Sequence, residues 1–366
     1  MKNALSISFF SGNRADFGPL QQVLLEATKN KFIDTSLIIS ETQRLKPIKN
    51  CNIFEYKEDL NGDDEAATCK SSGNVITKVG SAIKKINPRC LVILGDRFEA
   101  LAAAQAAVIF KVPIAHICGG DTTNGSFDQY FRNAISILSE LHFSTNSQST
   151  NALKNLGIKD KAIFEFGHPG VDAIQMGPVV SRQSFFKATE LNPELKTILV
   201  SFHSITSLSD LGAHELSELI AAIEILSDDH SLQFLITAAN PDPLGQKINA
   251  SFIELCSKLK RCCFIHTLGT ELFRGALIHC DMFIGNSSAL IYEAPVIGQH
   301  AILIGERQSQ RTMPTVVQCI GAHRAQIVNS INATLFKSKP NPDTFFGTQG
   351  ISKKIVDQLV STFSED

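Results

Sequence analysis

No stretch of the 366 residues approaches the roughly eighteen consecutive apolar side chains that a membrane-spanning helix requires. The N-terminus lacks the basic, apolar and small-residue zones of a signal peptide. Charge of one sign is missing too. With 34 basic and 36 acidic residues the net charge is −2, which gives neither nucleic acid nor an anionic membrane a reason to bind. There is no Cys-x-x-Cys, and among nine cysteines only Cys262 and Cys263 are close along the chain. That scatter argues against a disulfide framework or a zinc ribbon and fits reduced thiols, several of them in core strands. The histidines, His116 and His168 included, stand at no metal-ligand spacing with the carboxylates, so no catalytic metal is expected. Repeats and low-complexity tracts are absent. A soluble protein is left, expected in the cytoplasm with no nucleic-acid or membrane partner.

What is present has the composition of a globular chain, 43% hydrophobic and 19% charged, and a length that suits two α/β domains better than one core. Apolar strands alternate with helical patterns, which predicts parallel sheets with ligands at the carboxyl ends of strands. Strands are expected at Leu5 to Phe10, Cys90 to Leu94 and Val112 to Ile117, then at Thr197 to Phe202, Leu232 to Ala238, Cys263 to His266, Met282 to Ile284 and Ala301 to Ile304. Helices are expected from about Pro19, over Glu99 to Phe110, over Asp128 to Leu138 and over the amphipathic tail Ile351 to Phe363. The polar region from Lys46 to Gly73 reads as loop with short elements. A linker is placed near 170–192, with a ligand expected in the cleft between the two series.

The most informative segment is Gly285-Asn286-Ser287-Ser288, which follows an apolar strand and opens a helix-like stretch ending in Glu293-Ala294-Pro295. Free amides and hydroxyls at such a turn suit a phosphate, and Glu293 stands within reach of a ribose hydroxyl. An ordinary turn with a serine N-cap is the plainer alternative. Arg307 and Arg311 follow the next strand and could pair with a phosphate or fix their own loop. Asp96 sits where a strand ends and a helix begins, as an N-cap or as a carboxylate able to move a proton. Asp121 and Asp128 fall on the neighbouring loop, and converging carboxylates raise one another's pKa. Arg132, four residues after Asp128, could simply pair with it along the helix. His203 ends a strand and suits proton transfer or phosphate contact, unless it is a core histidine bonded to a carbonyl. Arg14 stands in the first strand-end loop, and Asn240 in a turn that could meet a base or ribose.

Taken in order, Gly12-Asn13-Arg14-Ala15-Asp16-Phe17-Gly18, Gly95-Asp96-Arg97-Phe98-Glu99-Ala100-Leu101, His116-Ile117-Cys118-Gly119-Gly120-Asp121, Asp128 to Ile135, Phe202-His203, Gly285 to Pro295 and Gly305-Glu306-Arg307-Gln308 resemble the UDP-N-acetylglucosamine 2-epimerase family. The closer likeness is to the hydrolysing branch that feeds sialic-acid-like sugars. The resemblance covers most of the chain. It implies a GT-B fold, two Rossmann-like domains with a cleft between them: 1–175 with the sugar and the catalytic carboxylates, 176–350 with the nucleotide, and 351–366 as a helix crossing back. It implies that UDP leaves C1 as a proton leaves C2, and that water then adds to give an N-acetylmannosamine-type sugar for sialic or legionaminic acid synthesis. Asp96 and Asp128 match acid/base positions, and His203 matches the histidine of the second domain. Arg14, Ser287, Ser288 and Glu293 match nucleotide contacts. Asn240, Asn286 and Arg307 complete the expected UDP-sugar site. A homodimer or homotetramer without a cofactor is expected.

Three positions depart from the family pattern. Cys118 stands where several members carry a catalytic Glu, Asp121 replaces the Glu of Gly-Gly-Glu, and Pro19 replaces a Lys. Asp121 is the chosen substitute base, and loss of the Lys admits a 4-acetamido-6-deoxy sugar nucleotide as substrate. A non-hydrolysing epimerase, a GT-B glycosyltransferase and a UDP-sugar-binding protein without turnover are the competing readings.

Overall fold

A computed structural model describes residues 4–43, 47–57, 65–122, 127–205, 208–240, 244–308 and 311–364, with the side chains of Arg14 and Ala15 outside the description. The chain forms two compact units, one of Met1–Thr122, Phe127–Ala173 and Phe346–Asp366, the other of Ile174–Phe345.

In the first unit the strands are β1 (Leu5–Ser11), β2 (Ile33–Ser40), β3 (Cys51–Tyr56), β4 (Cys90–Leu94), β5 (Ile114–Ile117), β6 (Leu141–Ser144) and β7 (Ile163–Glu165). They make one parallel sheet in the order β3-β2-β1-β4-β5-β6-β7. Its helices are α1 (Arg14–Lys29), α2 (Glu65–Ile86), α3 (Phe98–Ile109), α4 (Asp128–Leu138), α5 (Ser147–Asn155) and α6 (Gly170–Met176), the last of which runs across the boundary between the units. β4 is a continuous apolar run, Cys-Leu-Val-Ile-Leu, buried along its whole length as a central parallel strand must be. The alanines of α3 pack closely into the core over it, beside Val75, Val79 and Ile83 of α2.

Two readings of this region are corrected. α1 starts at Arg14 rather than near Pro19, because the Asn13 side chain accepts the Asp16 N–H at 3.1 Å and caps the helix. The stretch read as loop from Lys46 to Gly73 contains β3 and the first two turns of α2. Its pattern is muted because β3 is an edge strand and α2 offers the core only a thin stripe, Ser71, Val75, Val79 and Ala82.

The second unit contains α7 (Arg182–Thr189), β8 (Lys196–Ser201), α8 (Ala213–Leu226), β9 (Leu232–Thr237), α9 (Gly245–Lys258), β10 (Cys262–Ile265), α10 (Gly269–His279), β11 (Met282–Gly285), α11 (Ala289–Tyr292), β12 (His300–Ile304), β13 (Val317–Ile320) and α12 (Arg324–Thr334). Its sheet is again parallel, ordered β10-β9-β8-β11-β12-β13. The expected linker region thus holds α6 and α7. The chain then returns to the first unit with α13 (Ile351–Phe363), which packs on α1. The Asp172 carboxylate of α6 accepts the amides of Gly350 and Ser352 at 2.7 and 2.6 Å, supplying the cap that α13 lacks locally.

In each sheet the strand order reverses once, between β1 and β4 and between β8 and β11. In open parallel sheets, ligands bind at the carboxyl ends of strands at such a reversal. The sequence motifs fall on these two places.

Candidate active site

In the first unit, the loops after β1, β4 and β5 bring together Asp16, Asp96, Arg97, Glu99 and Asp121, with Asp128 and Arg132 supplied by α4. Arg132 is almost wholly buried, and its guanidinium forms an ion pair with Asp96 and donates to the Asp121 carbonyl at 2.5 Å. The charge of Asp96 is thereby held in a fixed place at the end of β4. His116 ties the same loop down. Its Nε2 meets the Gly95 carbonyl at 2.7 Å and its Nδ1 meets Ser136 Oγ at 3.1 Å. Burial pushes its pKa down to about 3, so it is a neutral brace and not a proton carrier near neutrality.

Asp121 is placed differently from the role expected of it. Its Oδ1 accepts the hydroxyls of Thr145 and Ser149 at 2.5 and 2.6 Å, and the residue is buried. Gly120 makes this docking possible: at φ 79° a Cβ would lie 2.1 Å from the Ser149 carbonyl. Its backbone carbonyl, which accepts from Arg132, lets the same residue place that guanidinium. Cys118, two residues before Gly120, is buried in the left-handed region at φ 65°, a conformation that costs a non-glycine residue about 1–2 kcal/mol.

Asp16 was not among the expected site residues, although it lies within the first motif. It is buried one turn into α1, and the Asn13 amide donates to its Oδ2 at 2.7 Å. Burial, then the negative charge of Glu99, lift its carboxyl to about 8; Arg97 opposes this and Asp128 adds to it. Arg97 is held at 3.3 Å by Glu99, which takes up part of its charge. Asp16 therefore keeps its proton at neutral pH. The available signal was an acidic residue following an Asn cap at a strand end, opposite Gly95-Asp96-Arg97-Phe98-Glu99.

In the second unit, the loops after β8 and β11 are locked together. Gly285, at φ 132°, pairs with Ser201 so closely that a Cβ would lie 1.9 Å from the Ser201 carbonyl. The fully buried Asn286 side chain accepts the His203 N–H at 2.7 Å and donates to the His203 carbonyl at 2.8 Å. Both ends of its amide thus bond backbone and hold the loop after β8 in place. The His203 Nδ1 accepts the Asn240 N–H at 3.1 Å. That bond puts the ring proton of neutral His203 on Nε2, 3.3 Å from Ser201 Oγ. Asn240 thus enters the site through its backbone. Arg307 donates to the carbonyls of Ser204 and Asn286 at 3.1 and 3.2 Å, and Gln308 to the latter at 3.2 Å. Arg311 lies over the Tyr292 ring at 5.2 Å. Arg307 thus ties its own loop to those after β8 and β11.

Ser287 and Ser288 are partly exposed, and Ser287 Oγ accepts the Ala289 N–H at 3.3 Å. The helix they open, α11, is only four residues long, so the segment offers amides and hydroxyls but little helix dipole. Glu293 follows it, partly exposed yet set among enough protein that burial raises its carboxyl to about 7. Arg14 begins α1, and its side chain lies outside the described residues.

Two parallel Rossmann-like sheets carrying these strand-end sites define a GT-B-like protein. The chain belongs to the UDP-N-acetylglucosamine 2-epimerase family, whose model matches residues 29–360. It is 28% identical over 317 residues to a Campylobacter jejuni GDP/UDP-N,N'-diacetylbacillosamine 2-epimerase (hydrolyzing), covering 83% of this chain and 81% of that one. It is 26% identical to a Legionella pneumophila UDP-N,N'-diacetylbacillosamine 2-epimerase (hydrolyzing), covering 97% and 95%. Among solved structures, the Neisseria meningitidis UDP-GlcNAc 2-epimerase bound to UDP-GlcNAc shares the fold, with a TM-score of 0.80 at 18% identity over 98% of this chain and all of that one. No helix among the described residues is long and apolar enough to cross a membrane.

Proposed function

We propose that this chain is a hydrolysing 2-epimerase of a UDP-linked 2-acetamido sugar. The observation that carries the reading is the carboxylate group at the β1/β4 reversal, where Asp96 is fixed by an arginine and burial lifts the Asp16 carboxyl to about 8. Removing a hydrogen from C2 needs an ionised carboxylate, and Asp96 or Asp128 is the proposed base. As that proton leaves, the bond from C1 to the β-phosphate oxygen breaks and its electron pair departs with UDP. A 2-acetamidoglucal remains. A carboxylic acid then returns a proton to C2 on the opposite face as water adds its hydroxyl to C1, and the water's remaining proton goes to the carboxylate so formed. Asp16, neutral at the working pH, is the proposed reservoir for the proton that C2 receives. The diphosphate is proposed to take the Ser287 and Ser288 amides and hydroxyls and the charge of Arg307, with Glu293 accepting from the ribose and His203 donating from Nε2. The relatives named as hydrolysing diacetylbacillosamine epimerases support water as the acceptor and a 2,4-diacetamido-6-deoxy sugar as the substrate. A legionaminic- or sialic-acid route would consume the product, and the working protein is proposed to be a homodimer or homotetramer.

Proton NMR in deuterated water tests this with UDP-N-acetylglucosamine and UDP-N,N'-diacetylbacillosamine in parallel. The expected result is UDP with a free manno-configured sugar deuterated at C2, formed faster from the second substrate. A C2-epimerised sugar still joined to UDP would show a non-hydrolysing enzyme. Two intact substrates would end the catalytic reading.

A further inference from the structure

Cys256 lies in the last turn of α9, and Cys262 opens β10, the edge strand of the second sheet. Their sulfurs are 2.8 Å apart, and both residues are partly exposed. The approach is built by the turn that joins the two elements. Leu259 N still bonds the Leu255 carbonyl at 3.1 Å. Arg261 is anchored to the carbonyls of Leu232 and Ser227 and to His230 Nδ1, at 3.1, 2.9 and 2.9 Å. With the turn fixed at both ends, the two thiols are pressed together. Cys263 alternates to the other side of the strand, and its Sγ donates to the Thr189 carbonyl at 3.4 Å. The pair adjacent in sequence is therefore separated in space, while a pair six residues apart is joined.

We propose that Cys256 and Cys262 form a redox-labile dithiol, converted to an intrachain disulfide by small-molecule disulfides such as oxidised glutathione. The hydrogen bond from Cys262 lowers the pKa of Cys256, which makes Cys256 the attacking thiolate. Its sulfur displaces one thiol from the small disulfide and forms a mixed disulfide. Cys262 then gives its proton to solvent and attacks Cys256 Sγ, expelling the second thiol. The protein loses two hydrogens and two electrons, and the small disulfide becomes two thiols. The new bond would join α9 to its neighbouring strand. On α9, Asn249 Oδ1 accepts the Ala239 N–H at 2.8 Å, one residue before the amide that orients His203.

The test is intact-mass and peptide mapping of the full protein after equilibration in glutathione buffers of rising oxidised fraction. The expected result is the loss of two hydrogens, mapped to Cys256–Cys262 and reversed by dithiothreitol, with the remaining cysteines still open to alkylation after unfolding. C262S should stop at a glutathione adduct on Cys256, C256S should form no bridge, and C263S should behave as the parent. A protein that stays fully reduced in the most oxidising buffer, or a bridge mapped to another pair, would overturn the proposal. These readouts involve no sugar nucleotide, so they stand or fall apart from the epimerase reading.

Discussion

Where the first sheet reverses its strand order, the adjoining loops carry Asp16, Asp96, Arg97 and Glu99; where the second reverses, they carry His203, Ser204, Asn286, Ser287 and Ser288. The backbone arrangement is the same, with a central strand flanked by its successor on one side and a later strand on the other. The electrostatics differ. In the first unit several carboxylates are crowded under burial, and the repulsion is relieved by two arginines and by leaving Asp16 protonated. In the second, one amide side chain clamps a histidine's backbone and an arginine spans two carbonyls. Topology therefore selects where a ligand can bind, and the strand-end residues select what is done there.

The comparison breaks most sharply if the first unit loses its chemistry while the second keeps its ligand. Asp96→Asn should lower kcat by about 10³-fold while UDP affinity changes less than about twofold. It should also cost about 3 kcal/mol of stability, because Arg132 would remain buried without its counter-ion. Asp96→Asn combined with Arg132→Met should recover much of that stability and none of the rate. Unchanged turnover in Asp96→Asn would take the base's role from Asp96 and leave it to Asp128.

In the second unit the corresponding change is Asn286→Ala. It strips partners from the His203 N–H and carbonyl together, costing about 2–4 kcal/mol, and should weaken UDP binding at least about tenfold. Asn286→Asp should be no better, since it sets an oxygen against the His203 carbonyl. Urea unfolding and calorimetric titration with UDP separate the two effects.

Asp16→Asn sharpens the contrast through pH. With its carboxyl raised from 3.8 to about 8, folded Asp16 binds a proton that the unfolded chain releases over that interval. Its contribution to stability is therefore complete below the unfolded value and is lost as pH rises through about 8. Asn cannot titrate, so the variant should gain on the parent in Tm between about pH 5 and about pH 8. If protonated Asp16 takes part in turnover, the alkaline limb of the parent's kcat profile should be missing from the variant's residual activity.

Much of this was legible along the chain, and the exceptions have physical reasons. Cys90–Leu94, Asp128–Leu138 and Ile351–Phe363 appear where their patterns place them, because each is a strongly apolar run or a clear amphipathic period. The start of α1 was hidden because Pro19 attracts a helix boundary, whereas the Asn13 cap acts six residues earlier. The site residues are a mixed case. Asp96 and His203 announce themselves by ending apolar strands. The tasks of Asn286 and Asp121 depend on partners 83 and 28 residues away, beyond any local pattern. The proton on Asp16 is a property of burial and of Glu99, and no spacing rule encodes it. Cys256 and Cys262 meet only because a helix ends and a strand begins between them.

The smallest expected effect lies at Glu293 and asks whether the second unit also uses a titrating group. Its carboxyl, raised to about 7 by burial, is half ionised near neutrality. A ribose hydroxyl donates more strongly to a carboxylate than to a carboxylic acid, so affinity should rise as pH increases through that value. The ligand should be UDP-glucose, whose diphosphate diester has no proton of its own to lose in this interval. Binding to the parent should tighten about threefold to tenfold between about pH 6 and about pH 8. Glu293→Gln should bind more weakly at the upper pH and show almost no slope. The same linkage makes the parent lose stability as pH rises from 4.5 through about 7, so Glu293→Gln should unfold at a higher temperature than the parent at alkaline pH even as it binds less well. A flat binding profile in the parent would take Glu293 away from the ribose and leave the second unit's ligand held by backbone amides, hydroxyls and arginine alone.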